Sequence, residues 1–255
     1  MTDKKQPFNL NMHTARLLMR EPFFAALSRR IDKTCTTAIP TAGVRVNPER
    51  AQFEMLYNPE FFAQLKDEHK LGVLMHEFYH IIFEHVTSRK PVDGLKRIDN
   101  IAMDLAINGL PEMIGKLPCE ADPGPMIGKE PMKGCLPGEG PFKDLPAGKT
   151  YEWYLAALKK KQEENKEKQD GEDGEGEGEP GDGSGQSSPG DGDPFGGMDS
   201  FDEHDQFGDA DGTTQEIAKE RLKEAIGDLY RRQCVNTSWS ALSQRLIGAR
   251  FSVIL

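Results

Sequence analysis

Along the first quarter of the chain the apolar residues pass from helical spacing to alternation and back. Leu17, Leu18, Phe23, Phe24, Leu27 and Ile31 recur at helical intervals and predict a helix over 12–31, which Pro22 breaks or kinks. Residues 36–39 and 44–46 are short extended runs around Pro40 and Gly43. Residues 52–57 alternate, with Phe53, Met55 and Tyr57 on one side. Together they predict two or three short antiparallel strands. Asn58-Pro59-Glu60 opens a short helical turn. Leu71, Leu74, Met75, Phe78, Ile81 and Ile82 then restore helical spacing over 71–89, with Asp67 as a candidate cap and Pro91 beyond the end. A second helix is predicted over 97–110, ended by Gly109 and Pro111. Residues 111–150 are rich in Pro and Gly and take an irregular course. Helical spacing returns at 150–161 through Tyr151, Tyr154, Leu155 and Leu158, and at 213–233 through Ile217, Leu222, Ile226 and Leu229. A short helix over 238–247 and an apolar run at 251–255, which reads as a strand needing a partner, close the pattern. The fold class is α+β, mainly helical with a small antiparallel sheet.

Charge separates one segment from the rest. Residues 162–212 carry 18 acidic side chains and two lysines, a net of −16 within a chain total of −10, so the remainder is +6. This stretch of Gly, Asp and Glu cannot bury enough apolar surface to offset ordering, and it reads as a disordered linker. The domain reading is therefore 1–161, the linker 162–212, and a C-terminal helical segment 213–255. The N-terminus lacks the apolar core of a secretory signal, no apolar run matches a spanning helix, and the four cysteines form no C-x-x-C pair. A cytoplasmic protein is expected. The mildly basic remainder carries no zinc-finger or stacking motif, which disfavours nucleic acid as a partner.

The candidate chemistry sits in the 71–89 helix as His76-Glu77-Phe78-Tyr79-His80, an H-E-x-x-H stretch. Histidines four apart lie on one helix face, one turn above each other, so both imidazoles can reach one zinc ion. Glu77 sits beside the first ligand, where it can act on a water at the metal rather than bind the ion. Both histidines lie off the centre of the apolar face, so one side can anchor the helix and another can hold the metal. His85 reads as core packing or a helix end, because five residues beyond His80 is poor geometry for a shared ion on a continuing helix.

In the 97–110 helix, Asp104 and Asn108 share a face one turn apart. A polar pair on an otherwise apolar helix is buried only if it finds partners. A metal and a ligand histidine would supply them. Asp104 is thus the candidate third ligand, and Asn108 can orient a ligand histidine through its other ring nitrogen.

Several stretches resemble the metallopeptidase domain often found before a von Willebrand factor A-like domain in bacterial and phage proteins. They are Glu21-Pro22-Phe23-Phe24, Tyr57-Asn58-Pro59-Glu60-Phe61, Leu74 to His80 with His85 and Arg89, Asn100 to Asn108, Tyr151-Glu152-Trp153-Tyr154, Asp202-Glu203-His204 and Trp239-Ser240-Ala241-Leu242. The resemblance implies a zincin-like fold, with a small sheet beside the metal helix and the third ligand on a following helix. It supports His76, His80 and Asp104 as ligands and Glu77 as general base. The residues end at Leu255, where the A-like domain would begin, so the expectation is a stand-alone form or a partner module on another chain, von Willebrand factor A-like or an AAA+ ATPase.

Two imidazoles and one carboxylate around one zinc, with a fourth position left for water, is the arrangement of catalytic sites. The expected activity is hydrolysis of peptide bonds in a protein or peptide substrate, with Glu77 moving the proton. Tyr79, Tyr151, Tyr154 and His204 are candidates for an oxyanion donor or extra ligand. An extended substrate is expected to add to the 52–57 strand. The rival reading is a catalytically silent metal-binding assembly or adaptor protein, phage or ATPase-associated.

Overall fold

The computed structural model describes residue 8 and residues 10–91, 94–127, 129–172 and 210–234. The expectations for His204 and its neighbours, for the 238–247 helix and for the 251–255 strand lie outside the described residues.

The 12–31 pattern resolves into α1 (Leu10–Arg20) and α2 (Pro22–Ser28). The break falls at Glu21 because Pro22 has no amide proton to continue the first helix. Three strands follow: β1 (Asp32–Cys35), β2 (Ala42–Asn47) and β3 (Gln52–Tyr57). The first lies just before the extended run expected at 36–39. The sheet order is β1-β3-β2, with β2 antiparallel and β1 parallel to β3. This corrects the all-antiparallel expectation. The chain reverses between β1 and β2 across a gap one strand wide, and the β2–β3 hairpin return fills it. Because β3 is central, both of its edges are taken, and an added substrate strand cannot pair there; the sheet's edges belong to β1 and β2.

One face of the sheet enters the core through the cross-strand pairs Val44–Met55 and Val46–Phe53. The other face carries a polar cluster. Glu54 is buried there, accepting hydrogen bonds from Thr34 Oγ1 (2.5 Å), Arg45 Nε (3.0 Å) and Asn47 Nδ2 (3.3 Å).

The short helix α3 (Pro59–Gln64) is capped by Asn58, whose Oδ1 accepts from the Glu60 N–H (2.9 Å). Next comes α4 (Asp67–Ile82), which packs against α1, α2, β2 and α5 (Arg97–Asn108). Its cap position is Lys66 rather than Asp67; Asp67 is the first helical residue, paired with Lys70 (3.3 Å). From Leu71 to Ile82 every residue is buried, so α4 has no solvated side and is enclosed as a hub. Gly72 is required by close approach: a Cβ there would lie 1.9 Å from the Lys116 carbonyl oxygen.

The helix stops at Ile82, seven residues short of the sequence expectation. Glu84 adopts the left-handed region (φ 59°), and the Glu84 and His85 amides donate back to Ile81 O (3.1 Å) and His80 O (2.9 Å). This is a Schellman turn, normally built on glycine. A side chain in that conformation costs about 1–2 kcal/mol.

After α5 the segment 111–150 contains two 3₁₀ turns and a minimal hairpin, β4 (Met126–Ile127) with β5 (Glu130–Pro131). The helix α6 (Tyr151–Glu172) packs on α5 and runs eleven residues past Lys161 into the stretch read as linker. The helix α7 (Gly212–Cys234) lies against β2, β3 and α2. Among the described residues no helix is long and apolar enough to cross a membrane.

Candidate metal centre

Helices α4 and α5 each present an i, i+4 polar pair to the other: His76 and His80 from α4, Asp104 and Asn108 from α5. All four are at most 2% exposed. Three atoms converge. His76 Nε2 and His80 Nε2 are 3.0 Å apart, and each is 3.5 Å from Asp104 Oδ1. His76, His80 and Asp104 are the group of potential metal ligands found among the described residues.

The other ring nitrogens decide which atoms face inward. His76 Nδ1 lies 2.7 Å from Asn108 Oδ1, and Asn108 Nδ2 donates to the Cys135 carbonyl (2.8 Å). The amide is thereby oriented with its oxygen toward the ring. His76 carries its proton on Nδ1, and Nε2 presents a lone pair. His80 Nδ1 faces His85 Nδ1 at 3.2 Å. With the His80 proton in that contact, its Nε2 also presents a lone pair.

Two imine nitrogens and a carboxylate oxygen at 3.0–3.5 Å repel unless positive charge lies among them. An ion bound at about 2.0–2.1 Å with tetrahedral angles spaces its ligand atoms about 3.3 Å apart. The triangle matches that spacing, so the residues fit a small divalent cation.

Glu77 is adjacent on α4 and 0% exposed. The three candidate tyrosines are committed elsewhere. Tyr79 donates to Glu112 Oε1 (2.6 Å), Tyr154 to the Pro146 carbonyl (2.7 Å), and Tyr151 to Asp99 Oδ1 (3.2 Å). Burial, and then the Asp99 charge, push the Tyr151 hydroxyl well above its ordinary value. The Tyr151 ring sits 5.8 Å from the His85 ring, so it supports the centre from behind.

The structure places His76, His80, Asp104 and Asn108 side by side, and it buries His85 just beyond the end of α4, within the core-packed or helix-end reading of the sequence. On a continuing helix His85 would point 140° away from His80. The left-handed turn at Glu84 folds it back instead. The spacing of the two histidines was visible, but a glutamate in that conformation has no sequence mark.

No curated protein and no solved structure matches the sequence. The family model described as a putative metallopeptidase domain does match, over residues 6–238. That span includes both helices of the triad and nearly the whole chain, and the chain belongs to this family.

Proposed function

We propose that the protein is a zinc-dependent peptidase, with His76, His80 and Asp104 as the metal ligands and Glu77 as general base. The observation that carries this reading is the buried Nε2–Nε2–Oδ1 triangle beside an acidic side chain on the same helix. A zinc ion held there supplies Lewis acidity, making a water acidic enough to attack and polarising the scissile carbonyl. Asn108 holds the His76 ring in the tautomer that aims Nε2 inward. Glu77 accepts the proton of the attacking water and returns it to the leaving amine. Its own burial excludes competing solvent. Because the ligands are at most 1% exposed, a peptide reaches them only when the cover parts, and the segment bonded to Asn108 through Cys135 lies on the His76 side.

The burial also favours a second reading, a metal centre that stiffens α4 and α5 in an adaptor protein without turnover, working with a von Willebrand factor A-like or ATPase partner. Glu77→Gln separates the two. Elemental analysis and cleavage of a fluorescently labelled unfolded protein are measured side by side for wild type and variant. The peptidase reading expects about one zinc per chain in both and cleavage by the wild type alone, with a loss of about 100-fold or more in the variant. Cleavage at the wild-type rate by the variant removes Glu77 from the mechanism. Wild type that holds zinc and cleaves nothing leaves the adaptor reading standing.

A further inference from the structure

We infer that His85 is a positioning residue for the metal centre, placed behind His80 by the left-handed turn at Glu84. The inference rests on the metal-centre reading above and extends it to a residue outside the ligand triangle.

Three observations support it. His85 is 0% exposed, and its Nδ1 lies 3.2 Å from His80 Nδ1, the nitrogen turned away from the triangle. A ring that accepts the His80 Nδ1 proton fixes the tautomer and rotation that point His80 Nε2 at Asp104, as Asn108 does for His76. Second, the His85 ring packs edge-on to Phe83 (5.7 Å between centroids) and tilted against Tyr151 (5.8 Å), contacts that restrict its orientation. Tyr151 is in turn tethered to Asp99. The support thus runs Asp99–Tyr151–His85–His80 and joins the start of α5 and the start of α6 to the end of α4.

Third, the turn that delivers His85 is maintained against its own conformational preference. Glu84 and Ala51 are the non-glycine residues with positive φ among those described, and α7 holds both turns. Lys219 Nζ pairs with Glu84 Oε2 (3.4 Å) and donates to Ser88 Oγ (2.5 Å). Arg221 Nη1 donates to the carbonyls of Arg50 (2.6 Å) and Ala51 (3.0 Å). The Glu84 carbonyl also accepts the Thr87 and Arg89 amides (3.1 and 3.0 Å). A turn stabilised from so many directions without glycine is what a required side-chain placement at its next residue would produce.

The test measures zinc affinity by competition with a chromophoric chelator, together with the visible absorption of the cobalt-loaded full-length chain. His85→Ala should weaken zinc binding about 10–100-fold and shift the cobalt ligand-field bands, and His85→Gln, which keeps an acceptor, should recover part of the loss. A pair at Glu84 covers the case in which His85→Ala fails to fold. Both Glu84→Gly and Glu84→Ile delete the Lys219 ion pair, but only glycine keeps the left-handed turn. Glycine should bind zinc as the wild type does, and isoleucine should bind it more weakly. Wild-type affinity and an unchanged cobalt spectrum in His85→Ala overturn the inference, as does equal affinity in the two Glu84 variants. A wild-type chain that binds no zinc overturns the metal-centre reading itself, a result distinct from either.

Discussion

Two buried polar clusters among the described residues are satisfied in opposite ways. On the sheet, Glu54 is surrounded by donors: Thr34, Arg45 and Asn47, with Arg45 supplying a full positive charge at 2.9 Å. Between α4 and α5, the converging atoms of His76, His80 and Asp104 are all electron-pair donors, and the hydrogen-bonding partners Asn108 and His85 lie behind them. The first cluster contains its own cation. The second has the form of a socket for one. Burial of polar groups therefore does not by itself mark a functional site; the sign of what faces inward does.

The sharpest way to break this comparison is to remove metal. Free zinc at a thousandfold excess over its Kd should raise the unfolding free energy by about 4 kcal/mol, measured by denaturant melts with and without chelator. Asp104→Ala should lose that increment entirely. Full metal-dependent stabilisation in Asp104→Ala would mean that the triangle is not the socket.

The converse experiment is Arg45→Met. It should cost about 1–3 kcal/mol at pH 7, equally in zinc and in chelator. Burial pushes the Glu54 carboxyl up, but the hydrogen bonds from Thr34 and Arg45 and the Arg45 charge outweigh it and hold the value below 4.5. The stabilisation is therefore complete above pH 4.5 and fades as the pH falls through the native value. Wild type and Arg45→Met should converge in stability under acid conditions, and parallel curves down to pH 3 would contradict the assignment.

The smallest effect concerns His69, which is buried on α4 two turns before His76. It faces Asp122 Oδ2 at 3.4 Å and has no triangle to join. Burial holds its pKa below 6.5, with Asp122 opposing and Lys66 assisting. Stability should be complete above pH 6.5 and decline as the pH falls through the lowered native value. His69→Gln should flatten that slope in thermal melts between pH 7.5 and 5 without altering zinc binding. A slope unchanged in the variant would remove His69 as its source.

The sequence by itself determined what depends on local periodicity. An i, i+4 spacing puts His76 over His80 and Asp104 over Asn108 whatever the rest of the chain does, and two polar pairs on apolar helices are buried only where they find partners. The break at Pro22 was legible for the same reason, since the missing amide proton acts within one turn. What only the tertiary structure decided depends on contacts between distant residues. β1 lies parallel to β3 because a hairpin return filled a gap that no local pattern encodes. The tyrosine hydroxyls went to Glu112, Asp99 and Pro146 because those acceptors arrive from other elements. His85 reached His80 because Glu84 turns left-handed, at a cost that hydrogen bonds from Thr87, Arg89 and the distant Lys219 offset. Periodicity predicts which face a side chain occupies; only the folded chain determines which atoms meet it there.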